Sequence, residues 1–483
     1  MLKNLEDSPL YRLACPRSLA FFGASNNVTS MGTNLLLSLL AMGYEGAIYP
    51  VHPQEDEVQG LKAYRSVTDL PEVPDAAVLV LPTGIVSRTI AECGRQGITR
   101  AIVVSGGFKE VGGEGVALEK ELEETATRYG VRVLGPNGLG VANPHHKVNT
   151  TFIPFEGEPG YIGLASQSGS FVTQMFNYLA GQGLGFSTAL SVGNEMNLDL
   201  VDCLEYLGAC PRTKVIALYI EGLKRGRAFV EAARSIAPHK PIVAFYIGGS
   251  ETGRKAGFSH TGALAGPDRL YDGIFRQAGV IRARSVTEMF DFCRALAELP
   301  RPGGRRVVIQ THSGGPGAAA ADACGRAGLD LPALSPATRE KLRPLVTHTS
   351  SLNNPVDLTF SKNFQDFYSA IPRALLEDEN TDMLLVYFLT PEAIIHRTLN
   401  QMGLPEDKVE EEGRQLMDGF IREVAELKKL GKPIAGYTWR PLDEYFLRRL
   451  GQRGLPVFPG AERAARALAA LVLYHKLREK IIA

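Results

Sequence analysis

The chain has 483 residues, with 52 Lys and Arg set against 52 Asp and Glu, so its formal net charge is zero. At about 150 residues per domain that length predicts roughly three domains, and the charge balance excludes a protein that holds nucleic acid on a broad basic surface. An apolar fraction of 45% and a charged fraction of 22% exclude a disordered, fibrous or polytopic membrane chain; the departure from ordinary composition is 51 glycines, against an average near ~7%.

Residues 1–17 carry Glu6 and Asp7 and lack a basic region followed by an apolar core, so no secretory signal is expected. Apolar runs such as Ala76–Leu81, Val215–Ile220 and Met383–Leu389 fall far short of the ~18 residues a membrane helix needs and have the length of buried strands. The cysteines (Cys15, Cys93, Cys203, Cys210, Cys293, Cys324) form no CxxC pairs. That predicts neither a zinc site nor disulfides and fits a reduced cytoplasmic setting.

The first predicted strand, Ser18 to Phe22, runs into Gly23-Ala24-Ser25-Asn26 and then into an apolar periodic stretch, Leu35 to Met42. GxGxxG spacing is missing, and the second strand ends in Tyr49-Pro50-Val51-His52-Pro53 instead of an acid that could hold a ribose hydroxyl. A nicotinamide site is therefore not expected, and neither is a P-loop, since no GxxxxGK[ST] occurs. Further strand ends follow at Leu81-Pro82-Thr83-Gly84, Ser105-Gly106-Gly107-Phe108 and Gly135-Pro136-Asn137-Gly138. Ligands of open parallel sheets bind at the carboxyl ends of strands, so these segments predict one crevice for an extended, phosphate-bearing ligand. His145-His146 reads as a polar linker.

The same opening recurs twice. Tyr161 to Ala165 leads into Ser166-Gln167-Ser168-Gly169-Ser170 and a helix from Phe171 to Leu179; Arg306 to Gln310 leads into Ser313-Gly314-Gly315-Pro316-Gly317 and an Ala-rich helix. Gly23, Ser166 and Ser313 lie 143 and 147 residues apart. The pattern predicts an α/β chain of three doubly wound parallel-sheet domains, 1–145, 146–300 and 301–483, with the breaker cluster Pro300-Arg301-Pro302-Gly303-Gly304 at the second junction. A strand, Gly/Ser turn and helix start offers free N–H groups and the positive end of a helix dipole to an anion. Tight turns need glycine on their own account, and it is the threefold recurrence that favours anions.

Between Gly248 and Gly266 lies a glycine-rich segment in which His260 stands between Ser259 and Thr261. An imidazole is a competent nucleophile toward phosphoryl groups, and the resulting phosphohistidine needs N–H donors and opposing dipoles. Glu221, just after Val215–Ile220, could hold such an imidazole in one tautomer. The bland alternatives are a solvated loop histidine and a solvated strand-end acid. No histidine pair has metal-ligand spacing, so no metal site is expected.

Taken in order, Gly23-Ala-Ser, Tyr49-Pro-Val-His-Pro, Gly135-Pro-Asn-Gly-Leu-Gly, Ser166-Gln-Ser-Gly, Val192-Gly-Asn, Leu218-Tyr-Ile-Glu-Gly, Ser259-His-Thr-Gly-Ala-Leu-Ala-Gly, Ser313-Gly-Gly-Pro-Gly and Asn354-Pro-Val-Asp-Leu resemble the NDP-forming acyl-CoA synthetases, relatives of succinyl-CoA ligase. The likeness runs from about residue 15 to 470. It implies a Rossmann-like CoA-binding domain followed by two flavodoxin-like succinyl-CoA-ligase domains, the second domain carrying the phosphohistidine and the third being the ligase-CoA domain. It makes His260 the phosphorylated residue and Glu221 its partner. Ser166, Gln167, Ser168, Gly169 and Ser170, with Gly314, Gly315 and Gly317, become the phosphate-binding helix starts. Gly23, Ala24, Ser25, Pro50, Val51, Pro53, Leu81, Pro82, Thr83, Gly106 and Asn137 become the coenzyme A crevice.

The implied reaction converts acyl-CoA, ADP and phosphate into carboxylic acid, CoA and ATP. The chain resembles the alpha subunit, because the family's ATP-grasp module is absent; ADP or ATP with Mg would sit on a beta subunit, in an α2β2 hetero-oligomer. Three positions depart from the family pattern: Gln54 and Tyr246 where Lys is usual, and Gly138 where Cys is common. They motivate the alternative of a CoA-binding regulatory or scaffold paralogue without turnover.

Overall fold

The computed structural model describes residues 4–250, 252, 266–359, 363–389 and 392–483. Two compact units emerge, Met1–Ser285 with Ile481–Ala483, and Val286–Lys480.

The first unit contains two large sheets. Strands β1 (Ser18–Phe22), β2 (Ala47–Val51), β5 (Ala76–Leu79), β6 (Arg100–Val103) and β7 (Arg132–Leu134) make a parallel sheet in the order β2-β1-β5-β6-β7, and β3 (Glu57–Val58) with β4 (Leu61–Lys62) forms a small antiparallel ribbon. Every residue of β1 and β5 is buried, as expected of strands covered by helices on both faces. Successive β1 side chains serve opposite cores: Leu19 and Phe21 join Leu35, Leu36 and Leu39 on one face, while Ala20 and Phe22 join Ile90, Cys93 and Leu122 on the other.

The second sheet uses β8 (Gly140–Asn143), β9 (Val148–Asn149), β10 (Ile162–Ser166), β11 (Phe186–Ser191), β12 (Val215–Ile220), β13 (Ile242–Tyr246) and β14 (Ile281–Ala283), ordered β14-β13-β12-β10-β11-β8-β9. Its first five strands in that order are parallel; β8 pairs antiparallel with β11, and β9 with β8. His145-His146 therefore forms the turn of a hairpin on the sheet's edge, where the sequence suggested only a linker.

In the second unit, β15 (Val307–Thr311), β16 (Val356–Asp357), β17 (Met383–Tyr387), β18 (Ile434–Thr438) and β19 (Val457–Pro459) form a parallel sheet ordered β16-β15-β17-β18-β19. The preceding helix, Val286–Glu298, belongs to this unit, and its buried Asp291 accepts two 2.7 Å hydrogen bonds from Arg463 of the helix Ala461–Ile482.

Counting the parallel strands of each sheet in chain order, all three run 2-1-3-4-5, the flavodoxin-like doubly wound order. The three doubly wound α/β sheets agree with the fold class expected from the repeat. The opening strands end at residues 22, 166 and 311, so the period is 144 and 145 residues and the counterpart of Ser166 is Thr311, two residues before Ser313. A shared local device supports that register. Ser166 Oγ donates to Ser168 O and accepts from Ser168 N, and Thr311 Oγ1 treats Ser313 identically.

All six cysteines are buried and unpaired. Among the described residues, no helix is long and apolar enough to cross a membrane, and no cluster of three His, Cys, Asp or Glu could hold a metal.

Candidate functional site

In a 2-1-3-4-5 sheet the chain leaves the first and third parallel strands in opposite directions, and a crevice opens between their carboxyl ends. In the first sheet these are the ends of β1 and β5. Gly23 follows β1 with φ +91°, and a Cβ there would stand 2.0 Å from Val80 O, so the turn leaves no room for a side chain. Helix Met31–Ala41 starts against this turn. Ser25 N donates to Thr33 Oγ1, which donates back to Ser25 O, both at 3.0 Å, fixing Ala24 and Ser25 at the rim.

Pro50 and Val51 lie opposite Phe21 and Phe22 on the neighbouring strand. Pro53 follows in an exposed turn, where His52 Nδ1 accepts from Gln54 N and Glu55 N. At the other wall Ser105 Oγ donates to Leu81 O and accepts from Leu81 N, and Thr83 Oγ1, just after Pro82, donates to Gly106 O at 2.6 Å. Asn137 N donates to Ser105 O, and Asn137 Oδ1 would lie 3.3 Å from a Cβ on Gly106. The strand-end residues picked from the sequence thus share one edge, those of β1, β5, β6 and the Gly135–Asn137 turn being tied together by hydrogen bonds or contacts.

The second sheet has its own switch point, between β10 and β12. The side chain of Gln167 occupies it: Oε1 accepts from Glu221 N at 2.5 Å and Gly222 N at 3.0 Å, while Nε2 donates to Gly222 O at 2.8 Å and Glu195 Oε2 at 2.7 Å. With its amide so committed, Gln167 holds the backbone around Glu221 and offers little to an anion. Ser168, Gly169 and Ser170 open the helix Gly169–Ala180, whose N-cap Ser168 makes no side-chain capping bond among the described residues, the kind of helix start that presents N–H groups to an anion. Glu221 and this helix start therefore flank one place. The charge of Glu221 is felt locally, since burial first and Glu221 second push the Tyr219 phenol up to about 12.

The loop after β11, Val192 to Met196, enters this region from the side. The sequence marked it only as a Val-Gly-Asn motif, yet it supplies Glu195, 5% exposed, to Gln167. Lys224 Nζ donates to the carbonyls of Asn194 and Glu195 at 2.9 and 2.7 Å, and burial, followed by the charge of Lys109, lowers its pKa to about 8.

In the second unit, Gly314, Gly315 and Gly317 form the first turn of the helix Gly314–Arg326, behind Ser313, which again makes no side-chain capping bond. His312, ahead of that turn, stacks on Phe367 at 3.7 Å, and burial lowers its pKa to about 4; it stays a neutral imidazole at neutral pH.

His260 lies outside the described residues. Around the segment that carries it, Tyr246 stacks on Tyr271 at 3.6 Å and donates its hydroxyl to Gly266 O at 2.7 Å. Tyr246 therefore has a structural use of its own. Gly138 has one too, because a Cβ there would meet Ser191 O at 2.9 Å.

A CoA-binding domain family matches residues 17–144, and the succinyl-CoA ligase-like flavodoxin domain family matches residues 159–296. The chain is 38% identical to the alpha subunit of acetate–CoA ligase (ADP-forming) II of Pyrococcus furiosus, over 95% of this chain and 96% of that one. It is 37% identical to acetate–CoA ligase (ADP-forming) I of Archaeoglobus fulgidus over 97% of its own length, covering 64% of that longer protein. The solved dinucleotide-forming acetyl-coenzyme A synthetase 1 of Ca. Korarchaeum cryptofilum, in complex with phosphate and ADP, superposes with a TM-score of 0.86 at 32% identity, over 98% of both chains.

Proposed function

The chain belongs to the ADP-forming acyl-CoA synthetases and is an alpha-subunit-type member, and from that premise we propose how its residues divide the work. Coenzyme A lies along the carboxyl edge of the first sheet, between the Gly23–Ser25 turn and the Leu81–Thr83 and Gly106 wall, with Pro50, Val51, Pro53 and Asn137 at its margins. Phosphate attacks the thioester carbon of acyl-CoA; the C–S bond breaks, CoA leaves as the thiol and an acyl phosphate forms. An imidazole nitrogen of His260 then takes the phosphoryl group, releasing the carboxylate.

Glu221 accepts the N–H of the other ring nitrogen and fixes the tautomer. The N–H groups and dipole of the helix beginning at Ser168–Ser170 balance the added charge; the second unit has a helix start of the same kind at Gly314, Gly315 and Gly317. Phosphohistidine finally passes its phosphoryl group to ADP, held with Mg²⁺ by the ATP-grasp domain of a beta subunit in an α2β2 assembly. Six buried, unpaired cysteines support a reducing, cytoplasmic setting.

The observation that carries this reading is the meeting of Glu221 with an uncapped helix start at one switch point, in the same compact unit as the glycine-lined crevice. The test is an assay of the chain with its cognate nucleotide-binding subunit. Acetyl-CoA, ADP and phosphate are expected to yield ATP only when both chains are present, and the alpha-type chain alone is expected to bind CoA in calorimetry. CoA binding without ATP formation from any acyl-CoA by the assembled complex would select the regulatory reading instead.

A further inference from the structure

Glu195 is an unusual residue to find where it is. It is buried, and its backbone is left-handed, with φ +54° beside Gly193 at +55°, a conformation that a non-glycine residue holds only when its surroundings enforce it. Its carboxylate is desolvated, which raises its pKa to about 6 against the opposing pull of Gln167, Leu200 N and Lys224, with Asp199 a further, like charge nearby. An ionised group kept in so costly a place is better explained by geometry than by stability.

Both oxygens are used. Oε1 accepts from Leu200 N at 2.9 Å, at the start of helix Leu200–Ala209, and Oε2 accepts from Gln167 Nε2 at 2.7 Å. Gln167 in turn presents Oε1 to the N–H groups of Glu221 and Gly222. The other end of the loop is fixed to the first sheet's crevice. Asn194 N donates to Pro136 O at 2.8 Å and Met196 N to Gly135 O at 3.0 Å. Asn194 Nδ2 donates to Glu110 Oε2 at 2.6 Å, and Glu110 Oε1 accepts from Gly107 N at 2.5 Å, next to the Gly106 carbonyl that Thr83 holds.

We propose that Glu195 is a positioning residue for the phosphoryl-transfer step: through the amide of Gln167 it sets the backbone that aims Glu221, and through Asn194 it sets this from the wall of the CoA crevice. The inference rests on the assignment of Glu221 and His260 given above. The chemistry of the contact makes it testable. Glu195→Gln keeps the shape but replaces one acceptor by a donor, so that whichever way the new amide turns, a donor faces either Leu200 N or Gln167 Nε2. The exchange Gln167→Glu with Glu195→Gln restores a donor–acceptor pair between the two side chains and keeps an acceptor for the N–H groups of Glu221 and Gly222, but it removes the donor to Gly222 O, so it returns only part of the network.

The experiment uses the assembled alpha–beta enzyme, rapid-quench phosphorylation of His260 from acetyl-CoA and phosphate, and CoA calorimetry. Glu195→Gln is expected to slow phosphorylation about 10- to 100-fold, the usual effect of removing an outer hydrogen-bond partner of a reacting group. CoA affinity is expected to stay within about twofold of wild type, and the exchanged pair to regain part of the rate lost by Glu195→Gln. A Glu195→Gln enzyme that phosphorylates at the wild-type rate would overturn the inference. So would an equal loss of rate and CoA affinity in Glu195→Gln, which would mark a merely structural residue. If wild type itself acquires no phosphate on His260, it is the underlying assignment that fails.

Discussion

Glu221→Gln is expected to lower the rate of His260 phosphorylation about 10³-fold or more while leaving CoA affinity unchanged. The size follows from what an orienting carboxylate does: an amide of the same shape can present a donor to the ring N–H, so the wrong tautomer is held and the nucleophilic lone pair is lost. CoA affinity is spared because the crevice residues belong to the strand ends of the first sheet, whereas Glu221 closes β12 of the second, with its backbone already held by Gln167. Rapid-quench labelling and calorimetry on the same preparation separate the two quantities. A rate within tenfold of wild type would remove Glu221 from the reaction.

Gly23→Ala is expected to cost the first domain about 2–4 kcal/mol and to weaken CoA binding by more than tenfold. Two penalties add: a left-handed backbone at a residue with a Cβ, and a contact of 2.0 Å with Val80 O that only a backbone shift can relieve. Val80 is not a passive neighbour, because its N–H donates to Phe22 O at 3.1 Å. Moving it opens the gap between β1 and β5 where the ligand is proposed to lie. Urea unfolding followed by CoA titration measures both effects, and an alanine variant of ordinary stability and affinity would show that the turn has slack.

Much of this arrangement could be read from residue order, and the reason is local. A parallel strand buried on both faces is an unbroken apolar run, and the ligand-facing turn after it must be small and polar, so Ser18–Ser25, Tyr161–Ser170 and Arg306–Gly317 announce themselves in the same way. Glycine and serine content aligns Ser166 with Ser313, two residues off the structural register, because what the structure repeats is a hydroxyl at the last strand position, Ser166 or Thr311, bonded to the residue two ahead. The place of Gln167 in the turn suggests an anion ligand, and only its contacts to Glu221, Gly222 and Glu195 show its amide pointing inward.

What the sequence hid is non-local. Glu195 takes its meaning from Gln167, 28 residues away, and Asn194 takes its own from Glu110, 84 residues away; no periodicity links such positions. The hairpin of β8 and β9 carries no clear signal in the sequence because its strands are only four and two residues long, and edge pairing with β11 decides its structure.

The central claim is that the phosphoryl group rests on His260 between acyl phosphate and nucleotide. Incubating the assembled enzyme with radiolabelled phosphate and acetyl-CoA, without ADP, and then mapping the label by peptide digestion tests it directly. The account predicts an acid-labile, base-stable label on the peptide containing His260, absent from His260→Ala and discharged when ADP is added. Label of the same yield on the His260→Ala protein, or ATP formation by that protein, would contradict it.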